Sequence, residues 1–288
     1  MCYNNKEDKT MTKQMLKFPS IEQFRNAVKD VTLRAEYTGR DEFDEPIYDE
    51  SLPKPVISFN GTVKLHGTNA AVCYSVASGM YFQSRENIIT PENDNAGFAR
   101  WADSKKDIFA SIFTDVLAEN GIGDIYSPEL LGSTYSIFGE WAGQGIQATV
   151  GVSKLQKAFY VFGAKVTTPS GDPEVPATEE WLTFNTARSI EDQIYNINDY
   201  EKYSITVDFN DPEASVERLT ELTIAVETEC PVSKALLSVE VNDLVVSLVD
   251  GKLQSNRDIP LHIKDTVVKI LKELGKNTEN PSITLSVG

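Results

Sequence analysis

Lys64-Leu65-His66-Gly67-Thr68-Asn69-Ala70 is the stretch whose residue types and spacing point most directly to chemistry. It sets one lysine at the end of an apolar strand, Val56-Ile57-Ser58-Phe59, directly before a tight polar turn. A lysine amine attacks phosphorus only when neutral, against an ordinary pKa of about 10.4. Burial, neighbouring cations or a bound divalent metal lower that value. His66 lies two residues on, so on an extended segment its side chain points to the same side as Lys64. Gly67 lets backbone approach a ligand closely, while Thr68 and Asn69 offer hydroxyl and amide donors to phosphate or ribose oxygens. Alone, K-x-x-G reads as a surface lysine before an ordinary turn.

Three other segments give the lysine company. Ile137-Phe138-Gly139-Glu140-Trp141-Ala142-Gly143 places a carboxylate between glycines at the end of an apolar strand. Glu140 there is suited to ribose hydroxyls or to a metal held through water, and equally to capping a turn. Gln83-Ser84-Arg85-Glu86-Asn87 ends a strand with an arginine, which suits bidentate phosphate contact or a surface ion pair. Phe159-Tyr160-Val161-Phe162-Gly163 offers a ring to a purine, or simply core packing.

The elements that must position these residues read as a mixed α+β protein whose strands are joined mainly by hairpins. Ser20-Ile21-Glu22-Gln23 is a capping-box pattern predicting a short helix with Ile21, Phe24 and Val28 on one face. Residues 32–50 read as strand, acidic turn and strand, with Tyr37 and Tyr48 flanking the turn. Pro55–Phe59, Ala70–Val76 and Met80–Ser84 read as strands. Asp103–Glu119 is the clearest helix, with Gly121 just past its end. Tyr135–Gly139 and Ala158–Val166 are strand-like, and a polar loop is expected at Thr167–Pro176. Ser204–Phe209 is a further strand, after which Asp211-Pro212 opens a helix. Leu244–Val249 with Asp250-Gly251 predicts a hairpin with a primed turn. Leu261, Val267, Val268, Leu271 and Leu274 outline a terminal helix ending at Gly275.

Composition narrows the class. The 288 residues are 41% hydrophobic, enough for one large domain or two small ones. No run of about 18 apolar residues suggests a membrane span. The polar start of the chain lacks the apolar core of a signal peptide, which favours a cytoplasmic location. Three cysteines, Cys2, Cys73 and Cys230, match no zinc spacing and fit a reducing compartment. Two histidines exclude a histidine-rich metal site. A net charge of −16 argues against a generic nucleic-acid coat and leaves room only for a local basic site.

Taken together, Val63–Ala70, Ser84–Asn87, Phe138–Gly143 with Gly145-Ile146-Gln147, and Phe159–Phe162 match a known order. The chain resembles the RNA ligase 2 family of ATP-dependent RNA ligases, common in large tailed phages, within the covalent nucleotidyltransferase superfamily. Glu229-Cys230-Pro231-Val232 also looks like family sequence. The resemblance implies an α+β nucleotidyltransferase (ATP-grasp-like) fold of mainly antiparallel sheets with flanking helices. It covers roughly residues 16–236 as a ligase core, leaving a divergent or truncated segment at 237–288, while the polar, charged composition of residues 1–15 predicts a flexible lead-in.

The resemblance further implies a three-step reaction. Lys64 would attack the α-phosphate of ATP, release pyrophosphate and hold AMP through a phosphoramide bond. The AMP would pass to an RNA 5′-phosphate, and a 3′-hydroxyl would displace it to seal the strand, in RNA repair. His66 would assist a strand-joining step. The nucleotide site would comprise Lys64, Leu65, Asn69, Arg85, Glu140 and Phe162, with Arg85 on phosphate or ribose, Glu140 on the ribose and Phe162 stacked on adenine. Mg2+ or Mn2+ would neutralise phosphate charge. The implied partners are RNA ends, nicked or paired, acted on by a protein expected to be monomeric. A DNA ligase or guanylyltransferase of the same superfamily is the neighbouring alternative, but His66 and Asn69 favour the RNA-ligase branch.

The sequence departs from the family pattern towards its end. A glutamate-glycine strand and a K-x-K strand are expected after Lys234, and neither is found. Asp243-Leu244-Val245-Val246 lacks both the glutamate and the glycine. His262-Ile263-Lys264 matches the lysine strand in spacing only, inside a segment of helical period. A truncated or interrupted gene, a terminal helix supplying Lys264, Lys269 or Lys272, and a catalytically impaired nucleotide- or RNA-end-binding relative are the three readings this leaves.

Overall fold

A computed structural model describes residues 13–123, 130–172, 174–186, 191–241 and 244–285. Its first elements are helix α1 (Phe24–Glu36) and strands β1 (Tyr37–Arg40), β2 (Pro46–Tyr48), β3 (Val56–Thr62), β4 (Thr68–Ser75), β5 (Gly79–Ser84) and β6 (Ile88–Ile89). Helices α2 (Phe98–Asp103) and α3 (Lys106–Glu119) follow, then β7 (Thr134–Ala142), β8 (Ala158–Thr168), β9 (Thr178–Leu182), β10 (Ile194–Asn196) and β11 (Lys202–Asp208). The chain continues through α4 (Val216–Thr228), α5 (Pro231–Val241), β12 (Leu244–Val249), β13 (Lys252–Ser255), α6 (Leu261–Leu274) and β14 (Ser282–Leu285). The α+β class is as the sequence implied.

Contacts divide the chain into two compact units. One comprises Leu65–Asp199 with the stretch ending at Phe18; the other comprises Pro19–Lys64 and the chain from Tyr200 onward. The first is built on a seven-stranded sheet in the order β10-β8-β7-β4-β5-β6, with β9 also on β8. All its ladders are antiparallel except β10 on β8. Strand side chains alternate between faces, and both faces are covered. On one face Ala70, Val72, Tyr135, Ile137, Phe159 and Val161 pack with Phe98 of α2 and with Phe109, Ile112 and Phe113 of α3. On the other face Ala71, Cys73, Tyr81 and Phe138 pack with Leu16, and Phe18 and Phe162 lie against them. The stretch carrying Leu16 is tied down by hydrogen bonds. Leu16 N–H donates to Gln83 Oε1 at 3.1 Å, the Gln83 amide donates back to Leu16 O, and the Tyr81 hydroxyl donates to Gln14 O at 2.8 Å.

In the second unit, among the described residues, β3 pairs only with β11, as an antiparallel ribbon running from Val56↔Asp208 to Thr62↔Lys202. Residues 244–285 enclose a small core of their own. Strands run in the order β13-β12-β14, and Leu244 and Val246 of β12 pack with Val267 and Leu271 of α6. The β12–β13 turn has the left-handed pair the sequence predicted, with φ of 49° at Asp250 and 75° at Gly251.

Several local expectations need correction. Helix α1 begins at Phe24 rather than inside Ser20–Gln23, and no side chain caps it. It also runs through residues 32–36, where a strand was expected. The β-branched run Val31-Thr32 favours a strand locally, but the helical alternative completes a 13-residue element. The Asp103–Glu119 helix is interrupted after Asp103 and resumes at Lys106. Strand β8 extends to Thr168, into the expected polar loop. Asp211-Pro212 opens a 3-10 turn, Pro212–Ser215, before α4, without a side-chain cap from Asp211.

Candidate active site

The turn after Lys64 is fixed by its neighbours in the sheet. Gly67 precedes β4, and a Cβ added there would lie 2.4 Å from Trp141 O and 2.8 Å from Ala142 Cβ. No side chain fits, so glycine is required by close packing on β7. The Gly67 N–H donates to Glu140 Oε1 at 2.8 Å. The Gln147 amide lies 3.5 Å from Gly67 O on the other side of the turn. Beyond Gly67 the chain enters β4, and Thr68 Oγ1 accepts from the Asn95 amide at 2.8 Å.

Glu140 does not end its strand. It lies inside β7, directly opposite Asn69 on β4 and Tyr160 on β8. Residues opposite one another share a face, so Asn69 and Glu140 present their side chains on the same side of the sheet. Ser84, the last residue of β5, is opposite Ala70, which leaves Arg85 one step beyond the strand on the Asn69 side. Arg85 is exposed, and its Nε lies 3.6 Å from Glu86. Arg85, Asn69 and Glu140 therefore occupy neighbouring positions along one end of the sheet.

Phe162 is set by a bulge. Gly139 pairs with Val161 and Phe138 with Gly163, so Phe162 is the extra residue on β8. It is half-buried on the Glu140 side of the sheet and meets Phe18 edge-on, with centroids 4.7 Å apart. Gly139 makes room for another ring. A Cβ there would lie 2.5 Å from the Phe159 ring, so this glycine serves packing within a strand and not a turn.

Burial alternates along the lysine motif itself: Val63 and Leu65 are buried, while Lys64 and His66 are exposed. That is the pattern of an extended segment with Lys64 and His66 on one side, as expected from their spacing. The buried Leu65 side chain leaves its backbone as the part that can meet a ligand. Lys64 ends the first stretch of one unit, and Leu65 opens the second stretch of the other. Three trans peptide links hold its Cα within about 11 Å of that of Gly67.

A family model described as RNA ligase matches residues 54–224. The chain belongs to the RNA ligase family. The matched segment contains every residue of the Lys64–Ala70 motif and Arg85, Glu140 and Phe162, so the resemblance drawn from the sequence holds at the family level. No curated protein sequence matches the chain. Among the described residues of this RNA ligase family member, no helix is long and apolar enough to cross a membrane.

Two residues of this sheet end were not singled out by sequence. Asn95 belongs to a corner, Asp94–Gly97, in which Ala96 and Gly97 have φ of 55° and 87°. Lys157 immediately precedes β8, and its Nζ donates to Ala96 O at 2.9 Å. Asn95-Ala96-Gly97 has turn composition, but nothing in the local sequence announces that it folds back onto Thr68. Of Asp243-Leu244-Val245-Val246, Asp243 lies outside the described residues and the other three lie in β12, while Lys234 is engaged by Glu229 at 2.7 Å. His262-Ile263-Lys264 lies in helix α6, so the spacing match is not a strand.

Proposed function

We propose that the protein is an ATP-dependent RNA ligase in which Lys64 is the nucleophile. Its neutral amine attacks the α-phosphorus of ATP, a P–N bond forms, the bond to the β-phosphate oxygen breaks and pyrophosphate leaves. An RNA 5′-phosphate oxygen then displaces the lysine and takes the AMP. A 3′-hydroxyl attacks the activated 5′-phosphate, AMP leaves and the strand is sealed. The observation that carries this reading is the RNA ligase family match over a segment whose Lys64 motif leads into a turn pinned by Glu140. Phosphoryl transfer needs chiefly positioning and charge stabilisation, and a turn fixed at Gly67 is suited to the first of these.

Asn69, Arg85 and Glu140 would contact the nucleotide from neighbouring sheet positions, and Phe162 would take the base. His66, on the same side of its segment as Lys64, would act in strand joining. Among the described residues no group of three or more histidine, cysteine or acidic side chains is arranged to hold a metal. On this reading Mg2+ or Mn2+ arrives with the triphosphate, whose oxygens suit those hard cations.

A second reading, nucleotide or RNA-end binding without sealing, is favoured by the helical setting of His262–Lys264. Incubation with α-labelled ATP and magnesium separates the two. Covalent AMP that disappears in Lys64→Ala supports the ligase; ATP binding without any covalent label, at any divalent cation concentration, would leave only the second.

A further inference from the structure

Phe162 has no cross-strand partner on β7, β9 or β10, so the sheet does not set its ring by pairing. Among the described residues one ring does, that of Phe18, the last residue of the first stretch of its unit. Phe18 meets three rings edge-on. Its centroid lies 4.7 Å from that of Phe162, 5.2 Å from that of Trp181 and 5.6 Å from that of Phe138, at interplanar angles of 71°, 71° and 60°. Contacts of this geometry are favourable and directional. The seat beneath Phe18 is Gly163, where a Cβ would lie 2.9 Å from the Phe18 ring and 3.2 Å from that of Trp181. The residue after Phe162 therefore lacks a side chain where Phe18 rests.

Phe18 lies outside any helix or strand, so its position depends on the residues just before it. Those are fixed. Leu16 is buried, and both its backbone groups bond to the Gln83 amide. Lys17 O accepts from the Lys165 ammonium at 3.3 Å, and that buried ammonium is itself paired with Glu179. Phe138 is fully buried, while Phe18 and Phe162 are each half-buried, so the cluster runs from the core to the surface at these two rings. Phe162 remains half-buried with the Phe18 contact made, and packing does not use up its ring.

We propose that Phe18 is a positioning residue of the nucleotide site, which holds the Phe162 ring in the attitude that stacks on the purine of ATP. This rests on the ligase reading, in which Phe162 takes the base. It extends the site to a residue outside the matched segment 54–224. A ring already held loses little rotamer freedom when the base arrives, and freeing it should weaken ATP binding about two- to tenfold.

The test is a double-mutant cycle on Phe18→Leu and Phe162→Leu, read by AMP labelling of Lys64 against ATP concentration. Phe18→Leu keeps apolar bulk on the anchored stretch and removes the edge-on ring. It is expected to raise the ATP concentration at half-maximal rate about two- to tenfold, with the maximal rate near wild type, as lost uniform binding does. Phe18→Tyr keeps the ring and is expected to restore the wild-type value. In a Phe162→Leu background the Phe18→Leu change is expected to do nothing further. A purely structural Phe18 would act equally in both backgrounds, and that result overturns the proposal. So does a Phe18→Leu variant that matches wild type, or a Phe162→Leu variant with the wild-type ATP dependence; in all three cases the ligase reading stands. If wild type binds ATP but forms no covalent AMP, the ligase reading fails, and the same cycle on ATP dissociation constants from equilibrium dialysis decides Phe18. If it neither labels nor binds ATP, both readings fall. Gly163→Ala, which pushes on the Phe18 ring while keeping the residue, takes the place of Phe18→Leu if that variant does not melt cooperatively.

Discussion

The backbone N–H of Gly67 donates to Glu140 Oε1 at 2.8 Å, which ties the turn of the lysine motif to β7 two residues before its end. The two residues are 73 positions apart in sequence, yet Asn69, two residues from one, pairs directly with the other. The carboxylate thus orients the loop that follows Lys64, whatever else it contacts. A carboxylate accepting a backbone N–H is a charge-assisted bond, stronger than a neutral one.

Glu140→Ala should therefore do more harm than the loss of a ligand contact. It leaves the Gly67 N–H without its acceptor, at a cost of about 1–3 kcal/mol, and lets the turn move. Glu140→Gln keeps an acceptor and should melt near wild type, while AMP labelling falls about tenfold or more if the carboxylate also takes ribose hydroxyls. Melting curves read the first effect and labelling rates the second. A Gln variant that labels like wild type would reduce Glu140 to a structural role.

Gly67 and Gly61 make a matched pair. Ala at 67 would press its Cβ against Trp141 O at 2.4 Å, while Ala at 61 would meet nothing within 4 Å. Gly67→Ala should cost about 1–3 kcal/mol by overpacking, a fall of several degrees in Tm for a chain of this length, and should suppress labelling of Lys64. Gly61→Ala, three residues before the nucleophile in β3, should leave Tm unchanged or slightly raised. Equal melting of the two variants would show that the turn is free to move away from β7.

What the sequence made legible was the chemistry and the larger elements; what it hid was pairing. Glu140 was visible as a carboxylate between glycines, and those glycines suggested a turn. The structure gives a packing reason instead, because Gly139 clears the Phe159 ring and Gly143 clears the Lys157 backbone. Strands β10 and β14, of three and four residues, carry too little alternation to be read alone and exist through β8 and β12. Residues 32–36 continue the β-branched pair Val31-Thr32, a segment too short to decide between strand and helix until its neighbours are counted. Asn95 and Lys157 were missed because a fold-back onto Thr68 leaves no periodic signal.

Cys73 should make stability fall at alkaline pH. It is fully buried beside Ser136, Tyr81 and Gln83, and burial pushes its thiol up to about 12, against the pull of the Ser136 and Tyr81 hydrogen bonds. Between the ordinary thiol value and about 12 the unfolded chain has released a proton that the folded chain retains. Stability is then full below that window and declines as pH rises through it. Burial raises the Tyr81 hydroxyl as well, so part of the slope remains without the thiol. Urea midpoints for wild type and Cys73→Ala from pH 8 to pH 11 check this. The variant should start lower and lose stability less steeply, and parallel curves would contradict it.

Lys165 offers a sharper test of how the second face of the sheet is held. Its side chain is 1% exposed, donates to Glu179 Oε1 at 2.7 Å and to Lys17 O at 3.3 Å, and lies 5.7 and 5.5 Å from the Phe138 and Trp181 ring centroids. Removing one partner of a fully buried pair costs about 3–5 kcal/mol, because the other charge is left behind. Glu179 is 51% exposed, so water takes up part of that burden and roughly half the cost is expected for Glu179→Gln. Lys165→Met removes the charge itself and keeps an apolar stem between the two rings, so it should destabilise less than Glu179→Gln. Urea midpoints give the order directly. If Lys165→Met proves the worse variant, the ring contacts and the Lys17 carbonyl outweigh the desolvation of the ammonium, and the stretch ending at Phe18 is held down by that cation.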